Sequence, residues 1–267
     1  MPRLNPMIKS KIPLSWSMHI YTHIAWPCCH ALGVMKAIIF DMDGVLVDTM
    51  PSHFQAMRTA VAEIAEIDLK ERTFYMLEGM PVMEMARKIL DLEANKIRKG
   101  VLNLSTLAEK ISMRKKEIFM QMKKIPEPFS GVRELIFECP RTCLKAVVTG
   151  SSKQELDTII ENNFGSNAFT VAINGDEFEG KGKPDPAAYL AALSRLGVPS
   201  TNALVVENAP LGVQAARRAG VKCIVVLNSS PLSASDFSES IENESYIFKD
   251  IGAVSGLLKK WCAAAES

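Results

Sequence analysis

The pair of acids that opens Asp41-Met42-Asp43-Gly44-Val45-Leu46-Val47-Asp48-Thr49 offers the most chemistry in this 267-residue chain. Two carboxylates two residues apart, followed at once by Gly44, can leave an apolar strand, point into one space and share a divalent cation through their oxygens. One can attack phosphorus while the other handles the leaving group's proton. Taken alone, the same residues are also an ordinary turn signal. Three later segments add complementary groups. Val148-Thr149-Gly150-Ser151-Ser152 places a hydroxyl and backbone N–H groups where they can hold phosphate oxygens, or where Ser151 or Ser152 caps a helix. Gly180-Lys181-Gly182-Lys183-Pro184-Asp185-Pro186 puts a lysine in a rigid loop, either solvated or set to neutralise a phosphoryl group in transfer. Val205-Val206-Glu207-Asn208-Ala209-Pro210-Leu211-Gly212 is acidic at a strand end, so Glu207 either completes a cation site or caps a helix near Pro210.

These segments need elements to position them, and each follows a short apolar run. Lys36 to Phe40 (KAIIF) predicts a buried strand ending at Asp41, and Leu144 to Val148 a second. Further strands are expected at Thr170 to Ile173, Ala203 to Val206 and Lys222 to Leu227. Helices are expected from about Lys153, over Pro184 to Leu196, and over Leu211 to Ala219, closed by Gly220. Such alternation predicts an α/β fold with a doubly wound parallel sheet covered on both faces, whose ligands bind beyond the carboxyl ends of the strands. Residues 51–125 read differently. Ala56, Ala60 and Ile64 recur at spacing four, and Val82, Met85, Ala86 and Ile89 repeat a helical pattern. A helical block is therefore inserted between the first two strands, with the α/β core formed by 35–50 and 126–267. The methionines from Met113 to Met122 are expected on its core-facing side, with Lys115, Lys116, Lys123 and Lys124 filling the other faces.

The ordered set DMDGVLVDT, VVTGSS, GKPDP and VVENAPLG resembles motifs one to four of the haloacid dehalogenase superfamily, in particular the subgroup of β-phosphoglucomutase and small sugar-phosphate phosphatases. The resemblance runs from about Met35 to Leu227. It implies that Asp41 is a nucleophile forming an aspartyl-phosphate, and that Asp43 is the acid/base whose main-chain carbonyl also touches Mg²⁺. It further implies that Thr149 and the Gly150 amide bind the transferring phosphoryl group, with Gly44 and Ser151 beside them, and that Lys183 balances its charge. Glu207 and Asn208 are expected to complete the magnesium site with Asp41 and Asp43. Thr49 and His53 match the hinge of a mobile helical cap, and Glu78 and Gly79 match its substrate-contacting loop. Two departures matter. Relatives often carry two adjacent acids where this chain has Glu207-Asn208, which implies weaker magnesium binding. Mutases carry a basic residue in the cap loop, where this chain offers Glu78 and Val82. That favours a Mg²⁺-dependent phosphatase acting on a small phosphorylated metabolite, with a phosphosugar mutase and a catalytically silent phosphometabolite-binding protein as alternatives.

Composition excludes other classes. A formal net charge of +1 gives no basic surface for nucleic acid, and no apolar run suits a membrane span. No acidic residue precedes Asp41, and residues 1–34 read as an extension upstream of a natural start at Met35 or as a targeting segment. A cytoplasmic protein, a monomer or weak homodimer, is expected. The cysteines at 28, 29, 139, 143, 223 and 262 are expected to be reduced packing thiols, since only Cys139 and Cys143 approach a metal-like spacing.

Overall fold

A computed structural model describes residues 36–96, 103–122, 126–178, 180–240 and 246–263. The expected extension at 1–34 lies outside these residues. Strand β1 (Ala37–Asp41) is buried along its whole length, as a run of apolar residues must be when both faces of a sheet are covered. It pairs in parallel with β2 (Leu144–Val148) on one side and β4 (Ala203–Glu207) on the other. With β3 (Val171–Ile173), β5 (Lys222–Val226) and β6 (Ile247–Phe248) the sheet order is β3-β2-β1-β4-β5-β6. The order reverses about β1, so the crevice for ligands falls where Asp41, Thr149 and Glu207 leave the sheet. Register places Asp41 level with Val148 and Phe40 level with Val206.

On one face, Ala37, Ile39, Val148, Ala203 and Val205 pack against α7 (Ala187–Leu196) and α8 (Pro210–Arg218). The alternate β1 residues Ile38 and Phe40, also buried, face the opposite side. Helix α5 (Val132–Glu138) packs on α9 (Ile251–Ala263). Helix α6 (Lys153–Asn163) starts with a capping box, Ser152 accepting from the Glu155 amide and Glu155 accepting from the Ser152 amide. Helix α7 starts at Ala187 rather than Pro184, because Gly182 to Pro186 forms the loop that presents Lys183, and Asp185 Oδ1 accepts from the Ala187 amide at 2.8 Å.

Between β1 and β2 lie α1 (Met50–Ala65), α2 (Glu71–Met76), α3 (Val82–Leu92) and α4 (Leu104–Gln121). Pro51 opens α1, where its missing N–H costs nothing. Helix α4 packs on α1 and α3 around Met57, Val61, Ile89, Leu107 and Ile111, and this cluster continues into the core through Val213, Val225 and Phe237. The expectation for the methionines fails. Met113 and Met120 are 66% and 64% exposed, whereas the buried stripe of α4 is Leu107, Ala108, Ile111 and Lys115. The expected set of thiols is corrected too: Cys143, just before β2, is disulfide-bonded to Cys262 of α9, and the buried Cys139 donates to Cys262 Sγ at 3.6 Å.

Candidate active site

The ends of β1, β2 and β4, the loop before α7 and the loop of residues 78–81 in the insertion meet around Asp41. The side chain of Asp41, only 4% exposed, accepts through Oδ1 from Lys183 Nζ, while its buried Oδ2 has no hydrogen-bond partner. Burial pushes the Asp41 carboxyl well above its usual range, with Lys183 pulling against it. The other partner of Lys183 is Glu207, which is fully buried. Burial alone would depress the lysine, but Asp41 and Glu207 outweigh it and hold the ammonium charged far into alkali.

Glu207 also accepts from Tyr189 Oη through Oε1 at 2.6 Å, and from the Asn208 and Ala209 amides through Oε2 at 2.9 and 3.2 Å. A carboxylate has about four lone-pair directions, so those of Glu207 are engaged by Lys183, Tyr189 and two amides. Asn208 is arranged differently. Its Nδ2 donates to both carboxylate oxygens of Glu78 at 3.1 Å, and its buried Oδ1 has no partner. A Cβ on Gly44 would stand 2.2 Å from Asn208 Nδ2 and φ there is +84°, so only glycine lets the turn after Asp43 pass the amide.

Asp43 faces a shell of donors. Thr49 Oγ1 donates to Oδ1 at 2.6 Å; Thr149 Oγ1 and Ser151 Oγ donate to Oδ2 at 2.7 and 3.0 Å. His53 Nε2 stands 3.5 Å from Oδ1. Burial would raise Asp43, yet the hydrogen bonds from His53, Thr49 and Thr149 prevail and hold it below the usual carboxylate range. The two hydroxyls expected to receive phosphate oxygens thus already serve an anion, the carboxylate of Asp43. Gly150 is exposed beside them, and Gly79 carries its φ of +91° over Lys183.

Sequence reasoning missed Lys115. Its Nζ lies 3.0 Å from His53 Nδ1 and 4.8 Å from the Phe119 ring, on which His53 is stacked at 4.1 Å. Burial lowers the Lys115 ammonium, and burial followed by the Lys115 charge lowers His53 against the pull of Asp43. The readable sign was spacing: Lys115 continues the apolar stripe of Leu107, Ala108 and Ile111.

Asp41 Oδ2 and Asn208 Oδ1 are hard oxygen donors, buried and unpartnered, and they fit a small divalent cation. Among the described residues no three His, Cys, Asp or Glu side chains form a metal cluster by themselves. Magnesium suits such a site because it takes one or two protein oxygens and completes its shell from water and phosphate.

Known proteins are similar to this chain in sequence and fold. The profile of haloacid dehalogenase-like hydrolases matches residues 38–226. The phosphorylated carbohydrates phosphatase of Thermotoga maritima is 32% identical over 196 residues, 71% of this chain and 84% of that protein. The β-phosphoglucomutase of Bacillus subtilis is 30% identical over 207 residues, 76% of this chain and 88% of that protein. Among solved structures, a variant of CbbY from Rhodobacter sphaeroides in complex with xylulose-(1,5)bisphosphate superposes with a TM-score of 0.58 at 28% identity, covering 72% of this chain and 86% of that one. With the acids, hydroxyl and amide at strand ends of one parallel sheet and the lysine in the loop before α7, and with the match spanning that sheet from β1 to β5, the chain belongs to the haloacid dehalogenase-like hydrolases.

Proposed function

We propose that this protein hydrolyses a small phosphomonoester, a sugar phosphate or related metabolite, through a phosphoaspartate on Asp41. The observation that carries the reading is the state of Asp41: a buried carboxylate at the end of β1 with one oxygen on the Lys183 ammonium and the other unpartnered. The Asp41 oxygen that does not hold the cation attacks phosphorus as the ester P–O bond breaks, and the leaving oxygen takes a proton from Asp43. Water then gives a proton to Asp43 and its oxygen attacks the phosphorus of the acyl phosphate, releasing phosphate and returning Asp41 to its carboxylate and Asp43 to its acid form. Asp43 is held ionised by the hydroxyls of Thr49, Thr149 and Ser151, so an incoming phosphoryl group that claims the last two frees Asp43 to take up its proton. Asp41 and Asn208 would hold Mg²⁺, which supplies charge neutralisation at the phosphoryl oxygens. Glu207 keeps Lys183 in place.

The names of the relatives divide between phosphatase and mutase. Glu78 favours the phosphatase, because a buried acid over the site opposes the second phosphate that a mutase must grip. The test is phosphate release from a panel of sugar and polyol phosphates with Mg²⁺. Asp41→Asn should abolish release. Activity surviving that substitution would sink the covalent route. Interconversion of a β-hexose 1-phosphate in the presence of a bisphosphate activator, with no phosphate released, would establish the mutase.

A further inference from the structure

The pairing of Glu78 with Asn208 joins the helical insertion to the core at the cation site. Asn208 stands where an acid is expected, and Glu78 stands where a base is expected, so the two departures occur in contact with each other. Both are buried, at 1% and 9% exposure, and the amide spends its Nδ2 on both oxygens of the acid. An aspartate at 208 would offer no donor and would set two acids against each other at 3.1 Å. An asparagine there is therefore the residue that a cap acid requires.

The backbone around Glu78 is shaped for the same seat. A Cβ on Gly79 would stand 2.7 Å from Lys183 Cδ, and one on Gly182 would stand 2.4 Å from Pro81 Cδ and 2.8 Å from the Gly79 carbonyl oxygen. Glycine on both sides lets the loop of residues 78–81 settle directly on Gly182 and Lys183. With the loop seated, Asp41, Lys183 and Glu207 are at most 8% exposed, so substrate reaches Asp41 only when the loop lifts.

We propose that Glu78 is a positioning residue that latches the cap and, by holding Nδ2 of Asn208, turns Oδ1 of Asn208 into the site, so that cap closure and cation binding reinforce one another. An amide can present either face, and Glu78 selects which one. Closure adds a fixed oxygen ligand, and a bound cation in turn favours the closed state by the same factor. The latch itself stands independently of the phosphatase reading; only its consequence for Mg²⁺ rests on that reading.

Hydrogen exchange of the full chain without metal tests the latch. Asn208→Asp should raise exchange in residues 77–81 about tenfold, the effect of losing one hydrogen bond to a charged group. Adding Glu78→Gln restores a donor to the pair and should return exchange to within about twofold of the parent. Unchanged exchange in Asn208→Asp, or no recovery in the double variant, overturns the latch. Gly182→Ala is the second route, because it adds a methyl that meets Pro81 only in the seated state; it too should raise exchange in the loop without disturbing the melting of the sheet. Calorimetric titration with Mg²⁺ alone then tests the coupling. Glu78→Ala and Gly182→Ala should each weaken Mg²⁺ binding about threefold to tenfold, a typical coupling between sites. Raised exchange in Gly182→Ala with undiminished Mg²⁺ affinity would overturn the coupling and leave the latch. A parent chain that binds no Mg²⁺ would refute the coupling and the metal assignment together, while the exchange result still decides the latch.

Discussion

Lys183→Met is the most demanding test of the buried charge arrangement. The side chain is nearly isosteric in length, so the change removes the ammonium and leaves the packing against Gly79 and Tyr189 largely filled. Asp41 and Glu207 then face each other in a dry site without their shared cation, although Tyr189 and two amides still serve Glu207. Removing one partner of a buried ion pair costs about 3–5 kcal/mol. For a chain of this size that is a fall in Tm of roughly 6–20 °C, at about 2–4 °C per kcal/mol. The pH dependence has a definite sign. Burial already raises Asp41 above its unfolded value, and losing Lys183 raises it further. A carboxyl raised in the folded state stabilises when protonated and loses that contribution as pH rises through the folded value. The deficit of Lys183→Met should therefore be larger at pH 8 than at pH 5.5. Urea unfolding at both values measures it, and the double variant with Asp41→Asn should recover most of the loss. Equal deficits at the two pH values, or additive costs in the double variant, would refute the arrangement of Asp41, Lys183 and Glu207 described above.

Three further outcomes are expected. Gly212→Ala places a methyl 1.9 Å from Glu207 Oε1, so a substitution that usually stabilises a helix should here cost about 1–3 kcal/mol in urea unfolding, and the shorter Glu207→Asp should offset part of it. Lys115→Met removes the partner of His53 Nδ1 and should lower kcat about tenfold to a hundredfold with little change in KM, since it acts through the donor shell of Asp43; an unchanged kcat would show that the shell does not need it. Reducing the Cys143–Cys262 disulfide, which links residues 119 apart, should lower stability by about 2–5 kcal/mol, and alkylation with mass spectrometry before and after reduction should show two additional reactive thiols.

The sheet was readable because its strands are buried on both faces and appear as short apolar runs between turn signals; β1 and β2 fall within a residue of their expected bounds. Two-residue β6 carries too little sequence to show any period, although Asp250, whose Oδ1 accepts from the Ala253 amide at 2.8 Å, is a readable N-cap for α9. The site residues that follow strands were readable for the same reason, since the fold dictates that such positions converge. What could not be read depends on how the insertion docks. Lys115 meets His53 across 62 positions, and Asn208 meets Glu78 across 130. No local pattern encodes such pairs. In α4 the spacing of Leu107, Ile111 and Lys115 marks the buried face, and what stayed hidden was the partner, because only the docking of α1 brings His53 to Lys115.

The charges of the closed site also explain why its two halves differ. Around Asp43 every contact is a donor: three hydroxyls and an imidazole backed by a buried ammonium. That half is ready to receive an anion in place of the Asp43 carboxylate. Around Asp41 the balance is reversed, because Asp41, Glu207 and Glu78 are gathered about Lys183 alone among the described residues. Burial, and after it the proximity of Asp41 and Glu207, push the Glu78 carboxyl well above its usual range. A phosphoryl group adding more negative charge there would be repelled unless a cation entered with it. A divalent ion corrects the excess without adding bulk, and the two unpartnered oxygens of Asp41 and Asn208 lie on the acid-rich side where it is needed. The acid carried by the cap thus makes the closed state dependent on a counter-charge. In the absence of such a cation, phosphate alone should bind weakly and leave the loop of residues 78–81 more open to exchange than phosphate and Mg²⁺ together.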